Sequence, residues 1–133
     1  RNLTKAAQIS PLNYRYHFLL GLLQIRKGDY EKAAESTLHS LTLNPYNINA
    51  LNNLGVAYAS AGNIPKAIQA FQTSLRIWPR HIEAHRNLAT IYAREGEKKK
   101  AIQHFQAALA LDPADVQARE SLLALGVTPP RRE

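Results

Sequence analysis

The stretch LNNLGVAYASAGNIPKAIQAFQTSLRIWP, residues 51–79, decides the fold. Its apolar residues recur at helical spacing twice, first as Leu51, Leu54 and Tyr58, then as Ala67, Ile68, Phe71 and Leu75. Between the two runs stands Gly62, which can take the left-handed conformation that ends a helix. Pro65 falls in the first turn of the second run, where its missing N–H costs nothing. Pro79 stops that second helix. Gly55, Ala67 and Ser74 are small enough to let two backbones approach, and Tyr58 and Phe71 are large enough to fill the space between neighbouring hairpins. The stretch reads as one helical hairpin.

Working outward, a shift of 34 residues lays the chain on itself. Leu20, Leu54 and Leu88 coincide, as do Gly28, Gly62 and Gly96, then Ala33, Ala67 and Ala101, and finally Pro45, Pro79 and Pro113. Three copies result, 14–47, 48–81 and 82–115. Tyr58 and Tyr92 match each other, with Gln24 at that place in the first copy; Phe71 and Phe105 match, with Thr37 there. A lone hairpin leaves an apolar face open, and stacking the next one covers it. The flanks keep the register. Residues 1–10 (Leu3, Ala6, Ala7, Ile9) read as the end of a preceding helix, 116–125 as a capping helix stopped by Gly126, and 127–133 as a disordered tail. A chain that starts at Arg1 and has no Met reads as a piece of a longer protein.

The combination Leu54-Gly55, Tyr58, Gly62, Ala67, Phe71, Ser74, Pro79 resembles the tetratricopeptide repeat, and the likeness covers 14–115. The first copy departs most, with Gln24, Thr37 and Ser40 in place of the family's aromatics and Ala. The resemblance implies an all-α fold: an α-solenoid in which antiparallel hairpins form a right-handed superhelix, making 1–126 one domain. It implies that the first helix of each hairpin lines a concave groove, and that a partner's extended peptide or helix lies there.

The register names the groove residues: Arg15, Phe18, Leu19, Leu22, Ile25 and Arg26 in the first copy; Asn49, Asn52, Asn53, Val56, Ala59 and Ser60 in the second; Glu83, Arg86, Asn87, Thr90, Ala93 and Arg94 in the third. The cap adds Gln117 and Glu120. Asn53 and Asn87 share one register position, and an amide that both donates and accepts can pair with any extended backbone. Phe18, Leu22 and Ile25 form an apolar stripe distinct from Leu20, Leu23 and Gln24, which are expected to face other helices. Such a stripe marks a partner surface or a face covered by the rest of a longer chain. Arg15, Arg26, Arg86 and Arg94 favour an acidic partner, against which Glu83 and Glu120 stand. Some family members grip a C-terminal carboxylate with a fixed Lys, Asn and Arg set. Here those places hold Phe18, Leu22, Asn53, Glu83 and Asn87, of which only Asn53 fits, so that mode is not expected.

Composition narrows the rest. Apolar residues make up 45% of 133, enough for a core. No apolar run approaches the length of a membrane span. Zero Cys excludes disulfides and thiolate metal sites. The segment His81-Ile82-Glu83-Ala84-His85 only superficially resembles a zinc-protease motif, whose Glu follows the first His directly. Neither a catalytic constellation nor a phosphate-binding glycine loop is present, so no enzyme, cofactor, metal or small-molecule substrate is expected. The net charge of +7 raises nucleic acid as an alternative. A repeat that reads RNA needs base-reading and stacking side chains at fixed positions, and here those positions vary. The remaining alternative is a structural role, including self-association. Protein–protein interaction through the groove is the leading expectation.

Overall fold

The computed structural model describes residues 14–131, so the expected helix end at 1–10 lies outside the described residues. Among the described residues seven helices follow one another: α1 (Tyr14–Lys27), α2 (Tyr30–Leu43), α3 (Ile48–Ser60), α4 (Ile64–Ile77), α5 (Ile82–Arg94), α6 (Lys98–Leu111) and α7 (Val116–Ala124). No strand occurs among the described residues.

Local chemistry sets the helix ends. Gly62 sits at φ +88°, in the left-handed region open to glycine. Asn63 then caps α4 by accepting from the Lys66 N–H at 3.3 Å, with Pro65 in the first turn. Asn47 caps α3 by accepting from the N–H groups of Asn49 and Ala50. At the far end of α4 the Trp78 N–H closes on the Ser74 carbonyl, one residue before Pro79.

Consecutive helices pair into the hairpins α1/α2, α3/α4 and α5/α6, and α7 closes the stack against α6. The first helices touch across hairpins, α1 on α3 and α3 on α5, while the second helices make no comparable contact with one another. The stack is therefore closed on the side of α1, α3 and α5 and splayed on the side of α2, α4 and α6. That makes the first-helix face the inner one.

The core is uneven along the stack. Phe71, Leu88, Tyr92, Phe105, Leu109 and Leu122 form one continuous buried cluster from α4 to α7. The Phe71 ring lies on the backbone of α3 at Gly55, where an added Cβ would come within 2.5 Å of it. A smaller cluster of Ala33, Ala34, Leu54, Ala57 and Ala70 joins the first two hairpins. In the first hairpin Thr37 takes the place of Phe71 and bonds its own helix at the Ala33 carbonyl, while Ser36 bonds Gln24. Polar pairs thus replace the aromatic pair of the later copies. Gly21 is the one buried residue of α1.

One expectation changes. Leu23, expected to face other helices, is 46% exposed, and Leu19 is 60% exposed, because no described element lies on that side of α1. In the segment 127–131, Val127 packs against the large cluster, and Arg119 donates to the Pro130 carbonyl at 2.7 Å.

Candidate functional site

The inner face is built from α1, α3 and α5, with α7 at its end. Of the expected groove residues, Arg15, Arg26, Asn49, Arg94, Gln117 and Glu120 are exposed, and Asn53, Asn87 and Thr90 are half-buried. The Asn53 side chain is half-buried and makes no hydrogen bond among the described residues, so its amide donor and acceptor are both unspent.

Asn52 is different. It is buried between α3 and α5, where it accepts from the Asn87 amide at 2.9 Å and donates to the Glu83 carboxylate at 3.3 Å. Both its polar atoms are engaged in joining the two hairpins, and through that bond Asn52 orients Asn87. Asn87 keeps its carbonyl oxygen open. Arg86, expected as a groove cation, donates to the carboxylate of Asp115 at 3.3 Å, and the Asp115 side chain is only 3% exposed. That carboxylate also accepts from the Ala118 N–H and caps α7. Arg86 therefore ties α5 to α7, and its charge is largely neutralised within the protein. The Thr90 hydroxyl bonds the Arg86 carbonyl of its own helix. Val56 packs against the large core cluster and Ile25 against the small one. Phe18, Leu22 and Ile25 are all half-buried, so the open apolar side chains of α1 are Leu19 and Leu23 instead. Among the described residues, the inner-face groups left without a side-chain partner are the Asn53 amide, the Asn87 carbonyl and the guanidinium groups of Arg15, Arg26 and Arg94.

The histidines lie at the hairpin joints, away from that set. Ser74, fully buried, shares a 2.9 Å hydrogen bond with His81 Nδ1. His85 Nε2 lies 2.9 Å from the Pro79 carbonyl and must donate to it, so the neutral ring accepts at Nδ1 from His104 Nδ1, 3.1 Å away. Burial holds the pKa of His81 below its ordinary value of 6.5; Glu83 pulls it upward and His85 pushes it further down. Burial likewise lowers His104, with His85 adding to the effect. Among the described residues no group of three His, Cys, Asp or Glu is placed to hold a metal ion.

These shifts carry a pH dependence with a definite sign. Between the lowered folded pKa values and 6.5 the unfolded chain binds more protons than the folded one. Stability is therefore expected to be flat above about pH 7 and to fall as the pH drops through 6.5. Denaturant unfolding at about pH 7.5 and about pH 5.5 checks it, since these bracket the histidine range. His104→Gln should flatten the slope, and an unchanged slope in that variant would assign the effect elsewhere.

The hairpin, its period and its stacking decide the identity, and the sequence pattern of the tetratricopeptide repeat matches residues 46–114 and, in a second form, 1–48. The chain belongs to the tetratricopeptide repeat family. No curated protein sequence matches it. Among solved structures it is similar to MamA at 24% identity and a TM-score of 0.80, over 84% of this chain; it spans 65% of the MamA chain. It is similar to the tetratricopeptide repeat domain of Arabidopsis OM64 at 19% identity and a TM-score of 0.83, over 88% of this chain and 98% of that one. It is also similar to the second such domain of human RPAP3, solved with the HSP70 peptide SGPTIEEVD, at 21% identity and a TM-score of 0.77, over 83% of this chain and 92% of that one. At these identities the likeness is one of fold. No helix among the described residues is long and apolar enough to cross a membrane.

Proposed function

We propose that this tetratricopeptide stack is a protein-interaction module whose inner face holds an acidic, extended segment of a partner protein. The observation that carries the reading is the half-buried pair Asn53 and Asn87, one repeat apart on α3 and α5, with Arg15, Arg26 and Arg94 exposed and in no ion pair among the described residues. Packed helices lie about 8–10 Å apart, which equals about three residues of extended chain at about 3.3 Å each. The two amides thus suit a peptide backbone gripped at every third residue, whatever its side chains. The arginines supply the preference for acidic sequence. The HSP70 peptide in the RPAP3 complex carries two glutamates and an aspartate, which supports the same class of ligand.

The test is a set of extended peptides varied in charge, read by fluorescence anisotropy against wild type and Asn53→Ala/Asn87→Ala. Each lost hydrogen bond is worth about 0.5–1.5 kcal/mol, so the double variant should bind acidic peptides roughly tenfold or more weakly. Binding unchanged in that variant would remove the asparagines from the site; no binding to any peptide would remove the groove.

A second reading rests on Leu19 and Leu23, the open apolar pair on α1. It takes the stack as a structural element whose α1 face meets further protein, including a second copy. Light scattering that finds a monomer at high concentration removes the self-association form.

A further inference from the structure

The splay of the second helices opens a groove on the outer side between each pair of hairpins, and the two grooves are finished differently. Between α4 and α6, His104 stacks on the Tyr92 ring at 5.7 Å and Gln72 donates to the Tyr92 hydroxyl at 3.3 Å. Tyr92 ends up 6% exposed. One repeat earlier, between α2 and α4, the matching positions hold Ala70 for His104, Leu38 for Gln72 and Tyr58 for Tyr92. Ala70 cannot reach the ring and Leu38 cannot bond its hydroxyl. Tyr58 stays half-buried, and Leu38 is left 44% exposed.

The consequence is a slot. Clefts of about 220 and 280 Å³ share Leu38 and Tyr58 as walls, and the second shares Glu31 and Ala61 with a third of about 310 Å³ at the α1–α2 turn. They run together along α2, from an acidic end to an apolar end. Glu31 and Glu35 stand one turn apart on that wall, both exposed and neither in an ion pair among the described residues. Like charges at this spacing repel and destabilise their helix. Lys66, on the opposite wall, lies over the Tyr58 ring at 5.5 Å. Lys32 also lines the acidic end, but with Asp29, Glu31 and Glu35 beside it the α2 wall is net negative, on a chain whose net charge is +7.

We infer that this outer groove binds a basic, extended segment of a partner protein, with one apolar side chain between Leu38 and Tyr58 and an arginine or lysine on Glu31 and Glu35. The geometry sets the spacing. Glu31 and Leu38 are seven residues apart on α2, about 10 Å at 1.5 Å per residue, or roughly three residues of extended chain. The fitting peptide carries its cation two or three residues from its apolar side chain. The site is separate from the inner face and opposite to it in charge preference, so the two can fail independently.

The experiment uses the full chain and short fluorescein-labelled peptides with a central leucine and arginines two and three residues away, beside the same peptides with glutamate for arginine. The arginine peptides are expected to bind wild type. Glu31→Lys/Glu35→Lys should weaken them tenfold or more. Leu38→Gln/Ala70→His, which installs the finish already present on Tyr92, should abolish their binding while circular dichroism stays that of wild type. Asn53→Ala/Asn87→Ala should leave them bound. Failure of the arginine peptides to bind wild type, equal binding to the Leu38→Gln/Ala70→His variant, or a preference for the glutamate peptides would each overturn the assignment. Loss on Asn53→Ala/Asn87→Ala would move these peptides to the inner face and overturn it too.

Discussion

Replacing Phe71 by alanine is expected to lower the unfolding free energy by about 3–5 kcal/mol, the range for a fully buried phenylalanine. Phe71 is 1% exposed, lies on α3 at Gly55, and belongs to the cluster that includes Leu88 and Tyr92 of α5. The cavity would be walled by three helices, α3, α4 and α5, so no single side chain can relax into it. The ring also joins the second hairpin to the third. In a solenoid each hairpin contacts only its neighbours, so stability is a sum of hairpin and interface terms. Losing this ring should therefore weaken one interface selectively and broaden the denaturant transition. Phe71→Leu, which keeps most of the volume, should cost less than half as much. The measurement is equilibrium denaturation followed by circular dichroism. A cost for Phe71→Ala under about 1 kcal/mol, within the range of surface substitutions, would mean that the ring is not the pivot of the stack.

The role of Phe71 as filler between hairpins is legible in the sequence alone. The hairpin boundaries were legible because each rests on a local rule: Gly62 for the left-handed turn, Pro65 for the start of α4, Pro79 for its end. The buried aromatics were legible because period and residue size agree. The groove was legible only as a register. Asn52 and Asn53 are adjacent and identical in type, yet one is buried between helices and the other is open. Helical spacing places both near the inner face, and only the approach of α5 decides which is covered. Arg86 likewise read as a free cation because its partner, Asp115, lies 29 residues away in the next turn of the solenoid. Leu23 read as buried because the pattern assumes a neighbour on every side. The contrast between Ala70 and His104 was present in the sequence all along, at matching positions. It gained meaning once the structure showed that both face a tyrosine.

Asp115→Ala is expected to cost about 2–3 kcal/mol and to release α7 before the rest of the fold. Two contributions add. The carboxylate caps α7 through the Ala118 N–H at 3.1 Å, and losing such a cap costs about 0.5–2 kcal/mol. It also accepts from Arg86, a charge-assisted bond worth about 1.5–3 kcal/mol that is discounted because Arg86 is partly solvated and can turn to water once its partner is gone. A nine-residue helix has little stability of its own. α7 is held by this residue and by the burial of Ala118 and Leu122, both fully covered. Asp115→Asn separates the two terms, since the amide oxygen can still cap while the ion pair is gone; it should cost about 1 kcal/mol, the neutral hydrogen-bond scale. Arg86→Ala leaves a buried carboxylate supported only by the cap and should fall between the two. Hydrogen exchange reads the locality: amides of α7 should lose protection in Asp115→Ala while those of α4 and α5 keep theirs. Uniform loss along the chain would show that the whole stack unfolds as one unit. Local release would also remove Gln117 and Glu120 from the end of the inner face, so acidic peptides long enough to reach α7 should change affinity in this variant while shorter ones do not.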